Sequence, residues 1–198
     1  MAALVLAFIS CSPKAPDIVQ PGRALGVVLA EETARAAAPK KQIAIISPDA
    51  NWGDMSPVEQ EFKAALKKQG LTIATAKAVD PGDPMRSGPI GLKAADFLNV
   101  LDQFPDVGAV VSFAGAPLLK PGDSLKPEHP PVLVVATAMM GTTPGIPGDR
   151  LQLARLLESK VIRLAVVDAS EPAAPTAGKP DATHDLFAQH YKILRQPE

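Results

Sequence analysis

The residues best suited to contact a ligand follow the first apolar strand of the chain. The run IAIIS, residues 43–47, is followed by Asp49, Asn51, Trp52 and Gly53. A carboxylate and an amide can bind hydroxyls or an ammonium group, and an indole offers a flat apolar face for stacking on a sugar or an aromatic ligand. A glycine lets the backbone approach a ligand closely. The same residues also form ordinary turns, so a purely structural role stays open.

A second set of small and polar residues follows two later apolar runs. Ser112, Gly115 and Ala116 come at and after the end of VGAVVSF, and Thr137 lies at the end of PVLVVATA. Because ligands of parallel sheets bind at the carboxyl ends of the strands, we expect these residues beside the first set. Tight packing alone would also select residues this small.

The residues of an enzyme centre do not accompany these positions. The sequence has no G-x-x-x-x-G-K-[ST] loop, and Ser112 is not within a G-x-S-x-G elbow. His129 stands alone, and His184 and His190 are six residues apart, a spacing that places them on different faces of a helix. We therefore expect a protein that is not an enzyme, with no metal and no cofactor.

Composition narrows the function further. Twenty basic and 21 acidic residues give a net charge of −1, without a basic stripe, so we expect no nucleic-acid partner. A length of 198 residues suits one domain of ordinary size. Hydrophobic residues make up 46% of the chain and aromatic residues only 4%, so the core must consist mainly of Val, Ile, Leu and Ala.

One helix is particularly well marked. In SPVEQEFKAALKKQG, Ser56 and Glu59 have the spacing of a capping box, and Pro57 suits the first helical position. Gly70 provides the stop. The sequence therefore predicts a helix directly after the ligand-suited residues.

Short continuous apolar runs alternate with helical segments in the order β-α-β-α-β-loop-β-α-β. Such runs are typical of strands that are covered on both faces. Right-handed crossovers make 2-1-3-4-5 the expected strand order. The predicted fold class is α/β: a three-layer αβα sandwich around a mostly parallel five-stranded sheet, of the flavodoxin-like kind.

The predicted connections differ in length between the two edges of this sheet. Those that leave the carboxyl ends of strands are long, at residues 48–55, 79–91, 113–130 and 138–148, whereas those from helix to strand are tight. Typical connections have about 2–6 residues, and long ones cost ordering entropy. Their collection on one edge indicates a ligand-binding edge. Prolines in the third loop favour a stiff flap, and whether it is a lid stays open.

Changes in composition give the domain boundaries. We assign residues 1–11 to a segment like a signal and lipobox, 12–40 to a Pro/Ala-rich tether with a short helix that either packs on the domain or acts as a spacer, 41–168 to the α/β domain, 169–182 to a linker, and 183–198 to a C-terminal helix or tail.

The N-terminal apolar run indicates export. It is too short to span a bilayer, which takes about 20 residues, and its length fits the apolar part of a secretory signal. FISC resembles a bacterial lipobox, although Phe8 stands where Leu is usual and no basic residue precedes the run. We expect a protein of the periplasm or cell envelope whose only membrane attachment is a lipid on Cys11; an idle or buried cysteine is the alternative.

A family resemblance covers residues 41 to about 168. KQIAIISPDANWGDMSPVEQEFKAALKKQGLTIATAKAVDPGD, followed by ADFLNVLDQFPDVGAVVSFAG, resembles one lobe of the type I periplasmic binding proteins, and is nearest to their branched-chain amino-acid receptor-like group. The resemblance implies a bilobed, extracytoplasmic, non-catalytic receptor that closes on a small molecule. It also implies cleft positions for five residues: Asp49, Asn51, Trp52, Gly115 and Ala116.

The chain departs from that family in having one such lobe, where members have two. A second copy, as a homodimer, or another protein would have to supply the facing wall. Two functions follow. The first is a ligand-binding module for a sugar or an amino acid, favoured by an open polar pocket around Trp52. The second is a structural or protein-interaction domain of an envelope lipoprotein, with an envelope protein as partner, favoured by a self-complementary face.

Overall fold

The computed structural model describes residues 19–49, 57–82, 91–120, 122–123, 125–137, 147–170 and 182–197. Cys11, Asn51, Trp52 and Gly53 lie outside the described residues. The elements in chain order are α1 (Val19–Ala37), β1 (Gln42–Pro48), α2 (Pro57–Lys68), β2 (Thr72–Val79), β3 (Leu92–Lys93), α3 (Ala94–Gln103), β4 (Ala109–Ser112), β5 (Pro117–Leu118), β6 (Val132–Ala136), α4 (Pro147–Glu158), β7 (Leu164–Asp168), α5 (Ala182–His190) and β8 (Tyr191–Arg195).

The main sheet of the described chain has six strands in the order β2-β1-β4-β6-β7-β8. The pairs from β2 to β7 are parallel. The order 2-1-3-4-5 is therefore confirmed for the five predicted strands, which are β1, β2, β4, β6 and β7. The predicted strand count was wrong, because β8 adds an antiparallel edge strand and β3 pairs with β5 in a separate two-stranded sheet.

The added edge strand comes from the C-terminal segment, for which a helix or a tail was expected. The helix α5 ends at His190, and the next five residues pair with β7, from Asp168 opposite Tyr191 to Leu164 opposite Arg195. The helical spacing of apolar residues in this segment did not reveal the strand, because pairing with the open edge of β7 outweighs a local periodicity. Tyr191 is buried and packs against Phe187 with ring centroids 5.6 Å apart.

Helices cover the sheet on both faces, which confirms the three-layer sandwich. On one face, Ile43 and Ile45 of β1 belong to a core shared with α1, α2 and α5. On the other face, Ala44 and Ile46 belong to a core shared with α3 and α4. Side chains of a strand alternate between faces, so a strand that serves both cores must be apolar throughout.

The helix α1 is part of this core. The sequence left open whether this segment packs on the domain or acts as a spacer, and the structure shows Leu25 and Leu29 fully buried. Gly26 brings the backbones of α1 and α2 together: a Cβ at Gly26 would lie 2.5 Å from the carbonyl oxygen of Val58 and 2.8 Å from the amide nitrogen of Phe62. None of the described helices is long and apolar enough to cross a membrane.

This contact gives a prediction for stability. We expect Gly26→Ala to lower the free energy of unfolding by about 1–2 kcal/mol, because overpacking costs about 1–3 kcal/mol and the better helix propensity of alanine returns at most about 1 kcal/mol. Urea denaturation followed by circular dichroism measures the change.

Gly22→Ala is the matched control, since it makes the same substitution one turn earlier in α1. Its new Cβ would lie 3.3 Å from one side-chain atom, Val58 Cγ2, a looser contact than the two backbone contacts at Gly26. We expect little or no loss of stability there. Equal stability of the two variants would contradict the assigned role of Gly26.

Candidate functional site

The carboxyl ends of β1 and β4 are neighbours, and the strand order reverses between them. After β1 the chain adds β2 on one side, and it then crosses to β4 on the other. The connection after β1 leads to α2 on one face of the sheet, whereas Ala114, Ala116 and Leu119 after β4 pack into the core of the opposite face. In open α/β sheets such a reversal leaves a crevice in which ligands bind.

Asp49 lies at this reversal, half-buried, just beyond the end of β1. Its amide nitrogen donates to the carbonyl oxygen of Val79 at 2.8 Å, so the neighbouring strand β2 fixes its backbone. Asp49 is thus positioned by the sheet rather than by a free loop. The other ligand-suited residues after β1 lie outside the described residues.

Ser112 and Gly115 form a closed turn after β4. Ser112 is fully buried, and its hydroxyl donates to the carbonyl oxygen of Gly115 at 2.7 Å. Gly115 has φ of +83°, a conformation that favours glycine. The turn is also tied to β1, because the amide of Phe113 donates to the carbonyl oxygen of Ile46 at 2.8 Å.

Thr137 and Ala116 complete the set of sequence-predicted residues in the described chain. Thr137 directly follows β6 and is fully buried, and Ala116 is half-buried beside β5. Since β1, β4 and β6 are adjacent and parallel, the structure brings Asp49, Ser112 and Thr137 to the same edge of the sheet. Asp49 and Ala116 are partly exposed there, whereas the side chains of Ser112 and Thr137 face the interior.

Glu59 is a further residue of this edge, which the sequence assigned only to a helix cap. It is 3% exposed, and its Oε1 accepts a hydrogen bond from the Ser47 hydroxyl at 2.7 Å and pairs with Lys63 Nζ at 2.8 Å. Glu59 therefore fastens α2 to the end of β1, two residues before Asp49. The i, i+4 spacing of Glu59 and Lys63 is visible in the sequence, but the bond to Ser47 requires the fold. Ser56, the predicted partner in the capping box, lies outside the described residues.

The loop after β2 is closed at its base beside the same edge. Asp80 Oδ1 accepts from the amide of Gly82 at 2.9 Å, and Asp80 Oδ2 accepts from Lys93 Nζ at 3.2 Å. The amide of Gly91 donates to the carbonyl oxygen of Pro81 at 2.8 Å. The Gly82 hydrogen bond, followed by that from Lys93, holds the pKa of Asp80 below its usual value.

Several contacts fasten the loop of residues 113–130 to the rest of the domain. Pro117 and Leu118 pair with β3, and the Pro117 carbonyl oxygen accepts from Gln152 Nε2 of α4 at 3.1 Å. Lys126 Nζ lies 2.6 Å from Asp102 Oδ1 of α3. A lid function for this loop stays a prediction.

The lowered pKa of Asp80 has a testable consequence. A carboxyl group whose pKa is lower in the folded than in the unfolded protein stabilises the fold at pH values above its unfolded pKa. This stabilisation is lost as the pH falls through its folded pKa. We expect Lys93→Ala to raise the pKa of Asp80 toward its usual value but not to reach it, since the Gly82 amide, the larger cause, remains. Carboxyl-carbon NMR titration of Asp80 measures this pKa.

Lys126→Ala serves as the control, because it removes an exposed lysine from a different carboxylate, Asp102. The pKa of Asp80 should not move in that variant. An unchanged pKa of Asp80 in Lys93→Ala would show that Lys93 does not act on it.

The chain has no match among protein-family models, and no curated protein matches its sequence. Within the described residues, no group of three or more His, Cys, Asp and Glu side chains is arranged to hold a metal ion.

Solved structures do show a similar fold. The XylFII molecule aligns with a TM-score of 0.52 and 11% identity, over 89% of this chain and 61% of that chain. An ABC transporter solute-binding protein from Burkholderia graminis C4D1M, in complex with D-arabinose, aligns with a TM-score of 0.49 and 18% identity, over 74% of this chain and 47% of that one. A periplasmic ribose ABC transporter from Conexibacter woesei DSM 14684 aligns with a TM-score of 0.45 and 16% identity, over 74% of this chain and 45% of that one.

At these identities the likeness concerns the fold alone. The resemblance to a single lobe of the type I periplasmic binding proteins is confirmed as a resemblance of fold. The chain spans about half the length of the solute-binding structures it matches.

Proposed function

We propose that this protein is a non-catalytic solute-binding module, which takes a small molecule, foremost a sugar, at the carboxyl edge of its sheet. The observation that carries the proposal is the reversal of strand order between β1 and β4, with the backbone of Asp49 held at that edge by its bond to Val79. This is the position at which open α/β sheets bind ligands. The proposed place of action is the periplasm or cell envelope.

The proposed roles follow from what each side chain can reach. The Asp49 carboxylate accepts hydrogen bonds from ligand hydroxyls. Ser112 and Gly115 act as positioning residues, since the serine hydroxyl is already engaged in their turn. Thr137 shapes the floor of the crevice from within the core.

Four further residues have proposed roles: three that follow β1 in the sequence, and Ala116 in the loop after β4. Trp52 stacks on the apolar face of a sugar ring, Asn51 binds a hydroxyl, and Gly53 allows the backbone to approach. Ala116 leaves room beside the ligand. A lipid anchor on Cys11 stays a separate proposal.

The first experiment is a thermal-shift screen of the full 198-residue chain against D-arabinose, D-ribose, amino acids and nucleotides. The two sugars are those named for the solved structures above. A ligand at about 100 times its Kd adds about 2.7 kcal/mol to the stability, which raises the melting temperature measurably. Trp52 is the only tryptophan of the chain, so a change of its fluorescence on binding places the ligand at the residues after β1.

We expect Asp49→Ala to weaken binding of the sugar found in that screen by about tenfold or more. Hydrogen bonds to a charged group contribute about 1.5–3 kcal/mol, and about 1.4 kcal/mol corresponds to a factor of ten in Kd. Isothermal titration calorimetry measures the change.

Asp106→Ala is the matched control, because it removes an exposed aspartate from the opposite, amino edge of the sheet, just before β4. It should bind as the unaltered chain does. If no compound of the panel binds to the folded chain, the proposal fails, and the protein-interaction domain becomes the better hypothesis.

A further inference from the structure

A cavity of about 230 Å³ lies at the edge of the sheet opposite to the proposed solute site. It lies at the amino ends of β6 and β7, beside the last turns of α1 and the end of β8. Its lining consists of three arginines, one glutamate and three apolar residues: Arg35, Arg163, Arg195, Glu32, Ala36, Leu133 and Leu164.

Glu32 forms ion pairs with two of these arginines. It is 5% exposed, its Oε1 lies 2.8 Å from Arg35 Nη1, and its Oε2 lies 2.8 Å from Arg195 Nη1. A buried carboxylate needs such partners because its desolvation is costly. Each guanidinium has five N–H donors, so each keeps donors beyond the one given to Glu32. The two arginines are therefore held in place with donors to spare.

Arg163 adds a third positive charge. Its backbone is fixed, because its amide donates to Val132 at 2.8 Å and its carbonyl accepts from the amide of Gln196 at 3.0 Å. None of the described side chains pairs with its guanidinium. The cavity lining thus carries three positive charges and one negative charge, a net charge of +2.

Among the described neighbours, Glu31 reduces this excess without cancelling it. Glu31 lies 3.9 Å from Arg35 Nη2 and also contacts His184 at 2.9 Å; it does not line the cavity, and counting its charge leaves a net charge of +1. The dipole of α1 favours a cation in its last turn, which accounts for Arg35 alone. Arg163 lies outside that helix, so neither the buried carboxylate nor the helix end explains its charge.

Guanidinium groups gathered around a concave surface repel one another and concentrate positive potential there. Their planar forks match the oxygens of phosphate and carboxylate groups. We propose that this cavity is an anion-binding site for a phosphate or carboxylate group, held by Arg163 together with Arg35 and Arg195. The site is separate from the proposed solute site. The bound anion contacts α1 through Arg35, the start of β7 through Arg163 and the end of β8 through Arg195.

The test uses the full-length chain labelled with nitrogen-15 and titrated with sodium phosphate, with sodium citrate as a second arm and sodium chloride at matched ionic strength as the reference. We expect saturable shifts of the backbone amides of Arg163 and Gln196 with phosphate, citrate or both. Saturation by phosphate alone assigns a phosphate ligand, and saturation by citrate alone assigns a carboxylate ligand.

The substitution Arg163→Gln should weaken the affinity for the saturating anion by about tenfold, since hydrogen bonds to a charged group contribute about 1.5–3 kcal/mol. Arg23→Gln is the matched control. Arg23 is exposed on α1, twelve residues and thus about 18 Å before Arg35, and its loss should leave the affinity unchanged.

Two outcomes would overturn the proposal. One is a response to phosphate and citrate that does not saturate or that equals the response to chloride. The other is an affinity that Arg163→Gln and Arg23→Gln lower equally, which would indicate a general effect of net charge. The amide spectra of both variants verify that they are folded, so a loss of binding in Arg163→Gln cannot be mistaken for unfolding.

Discussion

The constraint that governs this structure is that its central strands are apolar on both faces. Every residue of β4 and of β6 is buried. Such strands can be stable only between two layers of helices, and parallel strands need crossover connections that supply those layers. The close contact of Gly26 with α2 follows from this requirement, because α1 and α2 must both fit over one face of the sheet.

The same constraint confines function to the edges of the sheet. Side chains in the middle of the four central strands β1, β4, β6 and β7 are used in packing, so the surfaces that these strands leave for chemistry are where they begin and end. At the carboxyl edge, the strand order reverses between β1 and β4, and Asp49 lies at that reversal. At the amino edge, the connections are tight and leave less room for ligand-binding loops. The cavity around Arg163 is distinguished there by the charge of its lining.

The sequence predicted the central strands because continuous apolar runs indicate burial, and it predicted their order because right-handed crossovers restrict how parallel strands connect. It did not predict β8, since the pairing of Tyr191 with Asp168 depends on the open edge of β7, which is distant along the chain. It located Ser112 at the correct edge, but the direction of its hydroxyl toward Gly115 is set by the turn and not by residue type. The bond between Glu59 and Ser47 was equally hidden, because it joins a helix to a strand across a loop.

These details change how the carboxyl edge can recognise a ligand. The Ser112 hydroxyl is already bonded, and Thr137 is enclosed in the core, so these two strand ends provide shape rather than accessible polar groups. In the proposed function, recognition rests on Asp49 and the residues that follow it. A ligand held by that rim alone would bury only part of its surface. Tight binding would therefore require a facing wall, because small-molecule sites gain affinity by enclosing most of the ligand surface.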